Sequence, residues 1–161
     1  MSTLYVVSVT LHILAAMLWI GGMGTFALIV VPVAKRILEP EQAGRILRAV
    51  GMRFSAISIH VLGTLLVTGV VNLACRGVLP MLATAAFWRT PFGTTLAVKL
   101  ALVTFVTIAS VIHARDARAA GERPATKTRT RSTVLGRLTL VVSLVVVVFA
   151  VSLVRGVPLP W

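Results

Sequence analysis

Four apolar runs, roughly residues 4–34, 54–74, 93–114 and 134–154, leave this chain few ways to fold. Each is long enough to cross about 30 Å of hydrocarbon as a helix, which takes about 20 residues at about 1.5 Å each. Lipid offers the backbone no hydrogen-bond partner, so only helices and closed barrels span it. The periodicity of these runs is helical, and none shows the roughly ten-residue alternation of an outer-membrane strand. With 58% hydrophobic residues, 12% charged residues and a mean hydropathy of +0.99, the composition lies far from soluble globular usage. The expected fold class is all-α: an integral membrane four-helix bundle forming a single domain, residues 1–161.

The first run is longer than one crossing needs and carries Pro32 near its end, which predicts tilt or a kink. No basic segment precedes it and no small-residue cleavage site follows, so residues 1–34 are expected in the mature protein. Orientation follows from the basic residues. Lys35, Arg36, Arg45, Arg48 and Arg53 lie between the first two runs, and Arg115, Arg118, Arg123, Lys127, Arg129, Arg131 and Arg137 lie in or beside the connection between the last two. The opposite side holds only Arg76, Arg89 and Arg155. The positive-inside rule therefore predicts that both basic loops are cytoplasmic and both termini external. The net charge of +12 is explained by this topology and by attraction to anionic lipids at the cytoplasmic face. No nucleic-acid-binding motif accompanies it.

Between the first two runs, "EPEQAGRILRAVGMR" places Pro40 and Glu41 at a helix start and sets Ile46, Leu47 and Val50 opposite Arg45 and Arg48. A short interfacial helix is expected there. Phe87, Trp88 and Phe92 suit an aromatic belt at the outer interface, and "RAAGERPATKTRTRST" reads as a mobile cytoplasmic loop. The lone Cys75 excludes an intrachain disulfide and a cysteine-cluster metal site.

Ionisable residues inside apolar helices are expensive in lipid, costing about 2.5–3.5 kcal/mol or more at the bilayer centre, so they are read as functional candidates that face the bundle. At about 100° per residue, Thr95, Lys99, Val103, Val106, Ser110 and His113 form one stripe on the third helix. His12, Ala16, Trp19 and Met23 align on the first, and His60 sits beside Gly63 and Val67 on the second, with Asn72 further out. Two polar levels are predicted: His12 and Lys99 about 10–12 Å in from the external side, and His60 with His113 nearer the cytoplasm. The plainer reading of each residue is an interhelical hydrogen bond for His12 or His60, snorkelling for Lys99, solvation for His113, and packing for Trp19 and Met23. Gly21, Gly22, Gly24, Gly63 and Gly69 allow close helix approach.

Histidines on different helices of a dry bundle suit haem, because neutral imidazole ligates iron while the helices enclose the porphyrin. The candidate cofactor-binding set is His12, His60, Lys99 and Trp19, with haem b as cofactor and Lys99 near a propionate. Copper is the alternative, with His12, His60 and Met23 as the metal-ligand candidates. The thioethers are dispersed, however, and His12 and Met23 are about 16 Å apart along the axis.

The stretches "LHILAAMLWIGGMGTFALIVVPV", "RFSAISIHVLGTLLVTGVVNL" and "TPFGTTLAVKLALVTFVTIASVIHARD" resemble the membrane domain of the copper-resistance protein D (CopD) family. His12, Trp19, Gly21, Gly22, Arg53, Phe54, Thr68, Gly69, Asn72, Thr90, Gly93, Leu96, Lys99 and Leu100 carry the likeness. It implies a multi-pass protein of a bacterial-type inner membrane, connected with copper handling or electron transfer. The "LH" and "KLALV" elements are also similar to HemJ-type protoporphyrinogen oxidases, which implies haem b, with His12 and Lys99 in the family's histidine and lysine roles. Three function classes follow: a CopD-like haem- or copper-binding protein, a HemJ-like porphyrinogen oxidoreductase, and a non-catalytic accessory subunit associated with other membrane subunits or further copies of itself. The charge asymmetry predicts that a reporter fused after Trp161 is external and one inserted near Pro124 is cytoplasmic. Protease accessibility in sealed vesicles checks it, and the reverse result would overturn the assignment of levels.

Overall fold

The computed structural model describes residues 2–119 and 138–151, and among them every regular element is helical. The first helix, α1 (Thr3–Thr25), starts at Ser2, whose hydroxyl accepts from the Tyr5 N–H at 3.4 Å. It runs without interruption through a π-helical segment, Phe26–Val30, into α2 (Val31–Ile37). α3 spans Pro40–Cys75 and α4 spans Pro91–Ala119. A further apolar helix, α5, covers Leu138–Val151. Three stretches are long and apolar enough to cross a membrane: Thr3–Ile37, Pro40–Cys75 and Pro91–Ile112. The protein is an all-α membrane protein. The ends of the expected fourth span, 134–137 and 152–154, lie outside the described residues, as does the basic loop 120–137.

Pro32 acts where the sequence predicts an irregularity. Its ring lacks an N–H and crowds the carbonyl one turn earlier. The chain answers with the π turn rather than a break, and the Val31 N–H bonds back five residues to the Phe26 carbonyl. The predicted interfacial helix is not a separate element. Pro40 takes its N-terminal position, but the helix then continues for 36 residues to Cys75, about 54 Å. Ala, Leu, Ile and Arg favour helix throughout 40–53, and Gly44 and Gly51 lack a following proline or an αL backbone to end it. The basic segment is thus a rigid extension of the second span.

α1 and α3 run antiparallel and close together. The Ser8 hydroxyl donates to the Thr68 carbonyl at 3.2 Å, and an added Cβ at Gly22 would lie 2.5 Å from the Phe54 ring. At the core, Ala15 and Trp19 of α1 meet Val61 of α3 and Val106 of α4, with Met23 and Val142 of α5 packed against them. Trp19 is only 4% exposed and lies at 6.3 Å, tilted, from Phe54. The small polar Ser8, Ser58, Thr68 and Thr95 share the interior with these residues, as expected where helices in lipid associate by close packing rather than by hydrophobic exclusion.

α3 ends sharply. Gly77 takes a φ of +68°, its N–H reaches the Ala74 carbonyl at 2.9 Å, and the Val78 N–H reaches Leu73 at 3.0 Å. This is a Schellman end, completed by apolar contact between Leu73 and the Val78 cluster. Two 3₁₀ turns, Leu79–Ala83 and Phe87–Arg89, then lead to Thr90, whose hydroxyl accepts from Gly93 at 3.0 Å to open α4 with Pro91 in its first turn. The residues expected at an aromatic belt pack together as a small core. Phe87 is buried, with Trp88 at 5.3 Å and Phe92 at 6.0 Å from its ring, and the Trp88 indole donates to the Leu82 carbonyl at 3.0 Å.

A Cβ on Gly93 would overlap the Phe87 carbonyl oxygen and lie 2.8 Å from its carbon. Gly93→Ala should therefore cost about 1–3 kcal/mol, and Gly77→Ala about 1 kcal/mol through its backbone. Gly24→Ala meets nothing within 4 Å and should leave stability unchanged or raised. Thermal unfolding midpoints in detergent check all three.

Candidate functional site

The polar side chains that the fold brings together lie near the end of α3. On α1, Tyr5, Ser8 and His12 are three and four residues apart and so share a face. On α3, Thr68, Asn72 and Arg76 follow at successive turns. Lys99 on α4 completes the group: it lies one turn beyond Leu96, which packs with Val78 and Leu73 at the end of α3. The Schellman end halts α3 at Arg76, and from there Nε and Nη2 donate to the Tyr5 hydroxyl at 3.0 and 2.9 Å. The guanidinium also lies 5.8 Å from the Tyr5 ring centre, within cation–π range.

His12 is half-buried, and its Nδ1 lies 2.8 Å from Thr68 Oγ1. Thr68 has one hydroxyl proton, and the shortest bond it makes directs that proton to the Thr64 carbonyl at 2.6 Å. Nδ1–H must then be the donor to Thr68, and the Leu65 carbonyl, 3.3 Å from the same hydroxyl, is a second acceptor beside the ring. In this neutral tautomer Nε2 keeps its lone pair. A threonine anchoring one nitrogen so that the other is presented is the arrangement by which outer contacts orient a metal-ligating or proton-accepting imidazole.

Lys99 is half-buried, and among the described residues it has no hydrogen bond or ion pair. The chain has four acidic residues, Glu39, Glu41, Asp116 and Glu122. The first two start α3, about 50 Å along the helix from Arg76. Asn72 Oδ1 is buried without a hydrogen-bond partner. The cluster thus combines two cations, an oriented imidazole, a phenol and an orphaned acceptor, with neither Glu39 nor Glu41 near it.

The other predicted residues fall elsewhere. His60 is exposed, with Nδ1 at 3.1 Å from the Ala56 carbonyl. It lies about 12 Å along α3 from Thr68, the partner of His12. The inward face of α3 passes through Ser58, Val61 and Thr68, nearly opposite the predicted His60, Gly63 and Val67. Small polar residues that allow close approach, rather than the ionisable one, set this face. Trp19 and Met23 are core-packing residues, and Met23 is about 16 Å along α1 from His12. His12, His60 and Met23 therefore do not converge. Among the described residues, no three His, Cys, Asp or Glu side chains form a group that could hold a metal ion. The side chain of His113 lies outside the described residues. On α1, Ala15 rather than Ala16 is buried with Trp19. Sequence reasoning missed Tyr5, Ser8 and Arg76 as members of the cluster. Its available signal was the three- and four-residue spacing leading to His12, mirrored by Thr68, Asn72 and Arg76.

Thr68→Val should remove the acceptor that fixes His12, shifting the ring away from its Nδ1-protonated tautomer and costing about 1 kcal/mol. Nitrogen NMR of labelled histidine checks the tautomer, and unfolding in detergent checks the stability.

No curated protein and no solved structure matches the chain. A family model described as a domain of unknown function (DUF4149) matches residues 14–123, a stretch that begins two residues after His12 and includes Thr68, Asn72, Arg76 and Lys99. That match spans more than half of the 161 residues, and the chain belongs to the DUF4149 family.

Proposed function

We propose that this protein is a haem b-binding electron-transfer protein of a bacterial-type inner membrane, built as a four-helix bundle with both termini external. The observation that supports it best is the His12–Thr68 pair. Thr68 anchors Nδ1 at 2.8 Å, and in the Nδ1-protonated tautomer Nε2 carries the lone pair that binds haem iron. Lys99 supplies a cation of the kind that holds a propionate. Bound haem would supply one-electron chemistry. The chain's own part is to orient the imidazole, exclude water with Trp19 and its neighbours, and place positive charge at one edge of the ligand.

The topology belongs to the same reading. The basic residues on the α2–α3 turn and beyond α4 face the cytoplasm, where they meet anionic lipids, and the cluster around Arg76 faces outward. Copper has less support, because His12 lies about 16 Å from Met23 along α1 and about 12 Å from the level of His60 along α3.

Expression with haem supply and purification in mild detergent should give a Soret band at about one haem per chain. His12→Ala should abolish or shift that band. Lys99→Met should speed haem loss to a scavenging apoprotein with less spectral change. His60→Ala should leave the spectrum unaltered. A porphyrin-free preparation loaded with copper, or a haem-containing one whose spectrum ignores His12, would overturn the reading.

A further inference from the structure

We infer that the Tyr5–Arg76–Lys99 cluster is an oxyanion-binding site, open at the end of α3 and suited to a phosphate group. Geometry carries this. Arg76 is exposed and is held by two bonds to one phenol oxygen, at 3.0 and 2.9 Å. Those bonds use two of its five N–H donors and fix the plane of the rest. Lys99 is half-buried, with no acceptor among the described residues. Leu96, one turn before Lys99 on α4, packs with Val78 and Leu73 at the end of α3, which brings Lys99 to the level of Arg76, and Glu39 and Glu41 lie at the far end of α3.

Two neighbouring cations, one of them half-buried, repel unless an anion lies between them, and leaving a buried charge uncompensated is strongly destabilising. Tyr5 lowers that cost only slightly, since a phenol carries no charge. The fork of a guanidinium and the point charge of an ammonium are the usual pair for a phosphate oxygen face. A phosphate or a phosphate ester supplies the charge that the cations need. The chemistry is common to free phosphate and to a lipid headgroup.

The full-length protein, delipidated in a neutral detergent, is titrated with inorganic phosphate at constant ionic strength against chloride. Its unfolding midpoint should rise with phosphate. Arg76→Gln and Lys99→Met should each weaken the apparent affinity by about tenfold or more, the loss expected of one charge-assisted hydrogen bond. Lys99→Arg should keep the response, and Arg53→Gln, at the opposite end of the apolar part of α3, should match the wild type. If Arg76→Gln fails to fold, Tyr5→Phe, which frees the guanidinium but keeps both charges, should still weaken binding. Native mass spectrometry before delipidation separates the sources. A phospholipid retained by the wild type and lost from Lys99→Met assigns the site to a headgroup, and a phosphate response with no retained lipid assigns it to a free anion. An unfolding midpoint indifferent to phosphate with no retained lipid, or a response unchanged in both charge variants, would overturn the site. The readout involves no porphyrin, so its failure leaves the haem reading standing, and absence of a Soret band leaves this site standing.

Discussion

The close antiparallel packing of α1 against α3 is the constraint on which the rest of the protein depends. In lipid, apolar side chains gain little by leaving hydrocarbon for one another, so two helices stay together through surface complementarity and interhelical hydrogen bonds. Here Gly22 receives the Phe54 ring, and Ser8 and His12 bond to Thr68. These contacts fix the register of the pair over its whole length. Because register is fixed, Tyr5 arrives opposite Arg76, and Trp19 arrives beside Val61 and Phe54. A slip of one turn would separate every polar partner at once.

The same packing explains why the polar cluster lies at one end of α3. Toward the middle, the face shared by α1 and α3 is filled by Ala15, Trp19 and Val61, with Val106 of α4 packed against them. Toward Gly77 the helices terminate, and hydroxyls and cations replace aliphatic side chains. The Schellman end and the Phe87–Trp88–Phe92 core are structural supports for that change. The first stops α3 at Arg76. The second seats the start of α4 against the connecting turns through Gly93, so that Lys99, two turns into α4, is brought toward Arg76 and His12.

The basic end is organised differently. α2 and the first part of α3 form a helical hairpin turning at Leu38 and Glu39, with Ala34 and Ala43 buried on its two arms. Lys35 and Arg36 complement the negative end of α2, and Glu41 complements the positive start of α3. Both arms expose apolar and basic side chains together, Val33, Ile37, Lys35 and Arg36 on one and Ile46, Val50, Arg45 and Arg48 on the other, which suits a boundary where hydrocarbon meets water and headgroups.

Much of this was legible in the chain itself. Apolar runs longer than a bilayer crossing demand helices, because lipid satisfies no backbone group, and that requirement holds whatever the partners are. Pro32 announced an irregular turn, and the burial cost of charge singled out His12 and Lys99. What sequence periodicity left undecided was which of several polar stripes faces inward. On α3, Ser58 and Thr68 turn in and His60 turns out, because close approach selects small side chains and an imidazole can satisfy itself on the Ala56 carbonyl. Local pattern also suggested a break after Arg53 that the helix does not make, since no residue there supplies a cap. The convergence of Tyr5, Arg76, Lys99 and His12 from three helices was decided by tertiary structure alone: it depends on the register between helices, which no single helix encodes.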